Sequence, residues 1–257
     1  MTRIFRIGTF TGSARGFIAA AAMAAGLATP AAVLAQEEES FPKISGTAAF
    51  VSDYRWRGVS LSNKDAAVQA SIQLTTKPGF FIAVWGSSIA EYGATEDSAG
   101  ATTEIDLYGG WSGPLGPTTA TIGILSYLYP GGSGVNAFEF YGTIAGSFGP
   151  ANLTVGLNWA PDQKNLTRSS RYVFGTVGVG IPDTPITVKA SVGHERGSFV
   201  VDGSGRTTQK FDYLVGVDVT WKMLTLGGAF IGNDLPDKTN FNPAATNKFL
   251  VSLTAAF

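Results

Sequence analysis

Ionisable residues in this chain recur at a spacing of two inside otherwise apolar or small-residue segments. Asp53, Arg55 and Arg57 follow one another at that interval, as do Glu104 and Asp106. Glu139, Lys189, Asp212 and Asp218 each stand between two apolar neighbours, and Lys248 precedes Phe249. In an extended chain, residues two apart point the same way, so this spacing collects acids and bases on one face. Opposed charge clusters around an aqueous space would set up a transverse field and a constriction that sorts small polar solutes. The same groups also admit a purely structural use, in which Arg55 and Arg57 pair with carboxylates of neighbouring strands and close the space.

Other chemistry finds little support. The single histidine, His194, shares parity with Val192 and Ala190, and Glu195-Arg196 follows without a serine two residues on. Ser191 and Ser126 could serve it only through a contact made by the fold, so no catalytic residue is assigned and an enzyme is not expected. With no cysteine and one histidine, neither a metal site nor a cofactor is expected. Gly178-Val179-Gly180 lacks the third glycine of a dinucleotide site. Asp202-Gly203-Ser204-Gly205 and Asp234-Leu235-Pro236-Asp237 read as turns rather than calcium loops. Arg168, Arg171, Arg196, Arg206 and Lys210 gather near one rim; solvated loop charge is the simpler reading, and contact with lipopolysaccharide phosphates is the alternative.

The elements that must position these residues begin after a leader. Arg3, Arg6 and Arg15 precede an apolar stretch from Phe17 to Leu27, and Val33-Leu34-Ala35 stands before an acidic run, the pattern of a secretory signal peptide over 1–35. Residues 36–43 are expected to be a short periplasmic segment and 44–257 a single barrel domain. The apolar core of the leader is well short of the roughly 20 residues that a spanning helix needs. Losing those three arginines leaves fifteen basic against 19 acidic residues, a weak acidity that argues against nucleic acid as a partner.

Turn punctuation divides the remainder into twelve alternating segments, at 44–57, 65–76, 79–89, 102–113, 117–129, 136–148, 151–160, 170–181, 185–195, 208–222, 224–232 and 247–257. Their connections are alternately short, as at Lys77-Pro78-Gly79, and long and polar, as at 90–101. This is the habit of a transmembrane antiparallel β-barrel, all-β with about twelve strands, whose short turns and both termini are periplasmic. A charge facing lipid at midplane costs roughly 2 to 4 kcal/mol for Arg or Lys, so charges should keep to one parity per strand. They do: Ile105, Leu107 and Trp111 oppose Glu104, Asp106 and Tyr108, and Phe211 through Trp221 on odd positions oppose Asp212 and Asp218. In the first strand Ile44, Ala48, Phe50, Tyr54 and Trp56 take the outer face against Asp53, Arg55 and Arg57. The third, fifth and eighth strands alternate poorly, as in Phe80 to Trp85, which a bulge or a contact inside the lumen would explain.

Aromatic residues fall into two belts along the strands. Tyr54, Trp56, Tyr127, Phe138, Phe140, Trp159, Tyr172, Phe211 and Tyr213 are expected at the outer interface, and Phe80, Trp111, Phe148, Trp221 and Phe257 at the periplasmic one. The last segment alternates to a terminal Phe257, the kind of end that barrel-assembly machinery reads in Gram-negative bacteria.

Three runs carry a resemblance. Ser52-Asp53-Tyr54-Arg55-Trp56-Arg57-Gly58-Val59-Ser60, Gly79-Phe80-Phe81-Ile82-Ala83-Val84-Trp85-Gly86-Ser87-Ser88 and Glu104-Ile105-Asp106-Leu107-Tyr108-Gly109-Gly110-Trp111 are similar to the Gcw_chp family of proteobacterial proteins, also called TorF-type porins. The chain departs from that pattern at Leu61, where the family often has Gln, and at Ser88, where it often has Asn. The resemblance implies an outer-membrane barrel. The function expected is passive diffusion of small hydrophilic solutes, with a non-conducting structural or surface-interaction barrel as the alternative and an outer-membrane hydrolase third. Expected partners are outer-membrane lipid and lipopolysaccharide, the assembly machinery and small polar solutes.

Overall fold

A computed structural model describes residues 41–166, 168–201, 207–235 and 243–257. The leader at 1–35, most of the segment 36–43, Arg206, the Asp202 to Gly205 string and part of the Asp234 to Asp237 string lie outside the described residues. The elements are β1 (Lys43–Val51), β2 (Arg55–Trp56), β3 (Val59–Ser60), β4 (Ala67–Thr75), β5 (Phe80–Tyr92), β6 (Ala101–Leu115) and β7 (Thr118–Leu128). They continue with β8 (Ala137–Phe148), β9 (Ala151–Ala160), β10 (Ser170–Gly180), β11 (Ile186–Val201), β12 (Thr207–Trp221), β13 (Leu224–Asn233), a 3-10 turn at Pro243–Ala245 and β14 (Lys248–Ala256).

Among these, β1 and β4 through β14 form one closed antiparallel barrel of twelve strands, each paired with its neighbours in sequence and β1 closing onto both β14 and β4. Closure leaves no edge, so every ladder group has a partner without help from solvent, which a hydrocarbon surrounding demands. At the short-turn end, Phe257 donates its N–H to the Gly46 carbonyl at 3.0 Å and accepts from the Gly46 N–H at 2.8 Å, extending the β1–β14 ladder to the last residue. Both ends of the described barrel therefore lie at the short-turn end.

The parity rule holds through most of the barrel, but not without exception as expected: Arg171 on β10 and Arg196 on β11 stand on the outward, apolar parity near the long-loop end. On β12, Phe211, Val215, Val217, Val219 and Trp221 are exposed while Lys210, Asp212, Leu214 and Asp218 are buried. Exposed Ile44, Phe50, Val68, Ile72, Ile82, Leu107, Val155 and Leu253 continue the apolar outer wall around the circumference. Since β-strand side chains alternate, the same regularity sends the polar set inward.

Three expectations need correction. First, the opening strand does not run to Arg57: β1 stops at Val51, and residues 52–66 leave the wall and fold into the lumen. Asp53, Arg55 and Arg57 therefore reach the lumen from an internal hairpin rather than from the wall. Second, four aromatic residues assigned to the outer belt lie inside. Tyr54 and Tyr127 are buried, Trp56 packs on the internal aromatic cluster, and Tyr172 hydrogen-bonds Asp212. Phe140, Trp159 and Phe211 keep their outward places, as do Phe80, Phe148, Trp221 and Phe257 at the other end. Third, Lys210, grouped with rim charges, is buried in the lumen on the parity of Asp212.

The weak alternation of the third strand has a cause in the same hairpin. Phe81, Ala83 and Trp85 of β5 face inward and join a cluster with Val51, Tyr54, Tyr108, Leu125, Tyr127 and Tyr141. The Tyr54 and Trp85 rings lie 5.3 Å apart. A register shift between Ser88 and Tyr92 adds an irregularity at the end of the same strand.

Candidate functional site

The hairpin within residues 52–66 is built from local rules. β2 and β3 pair Arg55 with Ser60 and Trp56 with Val59, leaving a two-residue turn at Arg57-Gly58. Arg57 has φ 48° and Gly58 φ 82°, the left-handed pair that a type I′ hairpin needs. Glycine is required at 58 for a second reason: a Cβ there would sit 2.7 Å from the Gly232 carbonyl oxygen and 2.9 Å from the Asp212 Cβ. The base of the hairpin is tied by Asp53, whose carboxylate accepts from Arg55 Nε at 2.8 Å and from the hydroxyls of Ser60 at 2.6 Å and Ser62 at 3.2 Å. Ser62 Oγ also accepts the Tyr54 N–H at 2.9 Å.

From this base the tip carries Arg57 into the lumen between β8 and β11, three strands apart in the barrel. Its guanidinium donates to Glu139 on β8 at 2.6 Å and to Glu195 on β11. It also lies over the rings of Trp56 and Tyr172, each 4.3 Å from the centroid. The carboxylates are held in turn. Glu139 Oε2 accepts from the Tyr127 hydroxyl at 2.7 Å and from Asn158 Nδ2 at 3.0 Å. Lys210 Nζ sits 2.8 Å from Glu195 Oε2 and 3.5 Å from Asp212 Oδ2, and it donates to the Arg57 carbonyl at 2.7 Å.

Further contacts fix the hairpin around most of the circumference. Arg55 donates to the carbonyls of Gly58 and Thr246. Asn233 Nδ2 donates to the Gly58 carbonyl at 2.9 Å, Lys248 Nζ to the Lys64 carbonyl at 2.8 Å, and the Ala90 N–H to the Leu61 carbonyl at 2.8 Å. The Tyr54 hydroxyl donates to Glu104 at 3.2 Å, and Asp106 lies two residues along the same face of β6. At this level Glu104, Glu139, Glu195 and Asn158 are 0% exposed. The hairpin thus excludes solvent from this tier, in which Arg57 and Lys210 offset the desolvation of Glu139 and Glu195, whereas Glu104 and Asp106 have no ion-pair partner among the described residues.

A second tier lies nearer the short turns. Lys189 Nζ contacts Asp218 Oδ1 at 2.6 Å across β11 and β12. Around it the inward face is mostly hydroxyl and amide, with Thr47 bonded to Ser71 at 2.7 Å, Ser112 to Thr121 at 2.9 Å and Thr220 to Thr225 at 3.0 Å. Asp212 and Asp218 are six residues apart on one strand, about 20 Å at roughly 3.3 Å per residue.

All ten charged positions singled out in the sequence point into the barrel or sit on its internal hairpin, and the structure separates them into these groups. Arg57, Glu139 and Asp212 join the upper network; Asp53 and Arg55 anchor the hairpin; Glu104 and Asp106 meet Tyr54; Lys189 and Asp218 form the lower pair; and Lys248 holds the hairpin's return. Sequence reasoning missed Glu195, Lys210, Tyr127, Tyr172, Asn158 and Asn233. Parity would have found the first two, since Glu195 aligns with Lys189 and Lys210 with Asp212. His194 lies outside, its ring tilted against that of Phe211 with centroids 4.5 Å apart. Ser191 has the opposite parity, and Ser126 is on β7, which does not adjoin β11, so neither serine meets the histidine.

A solved structure described as the KdgM porin matches with a TM-score of 0.55 at 9% identity, covering 83% of this chain and 99% of that one. One described as the NanC porin gives 0.52 at 9% identity, covering 84% and 99%. At such identities the shared property is the barrel fold. No curated protein matches the chain. Residues 35–257 match the family model described as "Bacterial protein of unknown function (Gcw_chp)", and the chain belongs to that family, as its three motif runs implied.

Proposed function

We propose that this protein is an outer-membrane channel for passive diffusion of small hydrophilic solutes, with its long loops outward and both barrel ends in the periplasm. Residues 52–66 form its internal constriction. The observation that carries this reading is the inward face beneath the hairpin, where Thr47, Ser71, Thr121, Thr220, Thr225 and the Lys189–Asp218 pair stand beside the apolar contribution of Phe81, Tyr108 and Tyr141 on the β5–β8 side. Such a face suits water and polar solutes. Passage requires the hairpin to shift, because in the conformation described the carboxylates at its level are shielded from solvent. The porin-like fold and the alternating loop lengths support the same location, and the terminal strand ending in Phe257 supports delivery by barrel-assembly machinery.

A non-conducting barrel is favoured by one specific observation, the complete burial of Glu104, Glu139 and Glu195. Single-channel recording of the purified protein in planar bilayers separates the two. Openings that vanish when the hairpin is cross-linked to the wall support the channel. No openings over a range of voltages, from either the wild type or a barrel lacking residues 54–60, would leave the non-conducting reading standing.

A further inference from the structure

The outer wall carries a charge pattern that its surroundings do not explain. On the outward parity of the barrel strands, the described residues are apolar, small or uncharged except for Arg171 on β10 and Arg196 on β11, and both are exposed. They are direct cross-strand partners. Like charges placed opposite each other in an antiparallel pair destabilise it, and among the described residues neither guanidinium has an ion-pair partner.

Their neighbours define a depth. In the same row across β9 to β12 stand Trp159, Arg171, Arg196 and Gln209. One step toward the short turns, the next outward row is Leu157, Val173, His194 and Phe211. Leu157, Val173 and Phe211 are about half exposed, at 48%, 51% and 49%. A cationic row thus lies directly on the rim of an apolar one, at the long-loop end. Cross-strand Cα atoms are only about 4.5 to 5.5 Å apart, so two guanidinium groups so placed can converge on one anion and bind it through paired N–H donors.

We propose that Arg171 and Arg196 form a binding site for a lipid phosphate. Its occupant is the phosphorylated, acylated saccharide lipid of an outer leaflet, with acyl chains along Leu157, Val173 and Phe211. The charge complementarity selects phosphate, and the apolar row beneath selects a lipid over a free ion. The site is independent of whether the lumen conducts.

Native mass spectrometry of the detergent-purified protein tests this, using a bis-phosphorylated acylated glucosamine disaccharide, its phosphate-free counterpart and inorganic phosphate as probes. The wild type should retain the phosphorylated lipid, and the double variant Arg171→Ala/Arg196→Ala should lose affinity about tenfold or more. Arg171→Lys/Arg196→Lys should fall between them, because lysine keeps the charge without the fork. Heat-modifiable gel mobility shows that each variant is folded, and removing a like-charge pair should leave the ladder intact. Equal retention by wild type and Ala variant, or equal retention of the phosphate-free lipid, would overturn the proposal. Displacement by inorganic phosphate would also overturn it, assigning a free-anion site instead. Unchanged single-channel behaviour of the Ala variant in bilayers without the glycolipid keeps this outcome separate from that of the channel proposal.

Discussion

The two ends of the lumen solve the same problem in opposite ways. At the long-loop end, acids and bases from β8, β11, β12 and the internal hairpin are paired, ringed by Tyr54, Trp56, Tyr127 and Tyr172, and closed to solvent. At the short-turn end one pair, Lys189–Asp218, stands among hydroxyls that bond mostly to each other. Both faces obey the same strand parity. What differs is that the upper tier receives a segment from outside the wall, and that segment supplies the cation its carboxylates need. Lys189 and Asp218 are buried too, so the tiers differ not in exposure but in how many charges they hold and in whether another part of the chain completes the pairing.

Breaking the upper tier should have the largest effect. Arg57→Ala leaves Glu139 and Glu195 buried without their shared cation, a loss of about 3 to 5 kcal/mol from hairpin seating. Because the twelve-strand ladder is independent of the hairpin, the protein should still fold. The release is expected to appear as larger or more frequent single-channel openings than in the wild type. An Arg57→Ala barrel with unaltered conductance and unaltered protease resistance at residues 52–66 would show that the tier is not a latch.

Val217→Arg, on the outward face one residue from Asp218, should destabilise the membrane-embedded barrel by about 2 to 4 kcal/mol if it lies at midplane. Denaturant unfolding in lipid vesicles measures it. Beside it, Asp218→Asn should cost only about 1 kcal/mol, since the amide oxygen can still accept a hydrogen bond from Lys189. Where the lumen conducts, the change should shift ion selectivity toward anions, read as a reversal potential in a salt gradient. Equal tolerance of the two substitutions would mean that β12 has been assigned the wrong faces. The smallest effect is expected for Ser71→Ala, which removes the hydroxyl bonded to Thr47 at 2.7 Å. A loss of about 0.5 to 1.5 kcal/mol is the ordinary worth of such a bond, and a larger loss would mean that the lower tier is as tightly built as the upper.

Much of the barrel was legible in advance. Eleven of the twelve proposed segments match a wall strand, and the first fails only after Val51. Its failure is instructive: Asp53, Arg55 and Arg57 alternate with Tyr54 and Trp56 just as a wall strand would, because a hairpin is also extended chain with period 2. Two signals pointed away from a continuing strand. Gly58 and the polar run from Ser60 to Lys64 mark turns, and the inward apolar side chains of Phe81, Ala83 and Trp85 needed something inside to cover them. Neither says where the segment goes.

Sequence by itself determined the facing of most charged and aliphatic side chains on the wall strands, how many segments alternate, and that long and short connections take turns. These follow from peptide geometry and from the penalty for placing charge in lipid, both of which act locally along the chain. Only the tertiary structure decided that residues 52–66 enter the lumen, that Arg57 joins Glu139 to Glu195 from 82 and 138 positions away, and that Arg171 stands beside Arg196 on the outer wall. The first two outcomes depend on closing the sheet, since strands distant in sequence share one lumen only once the barrel has a circumference; the third rests on the register of the β10–β11 hairpin.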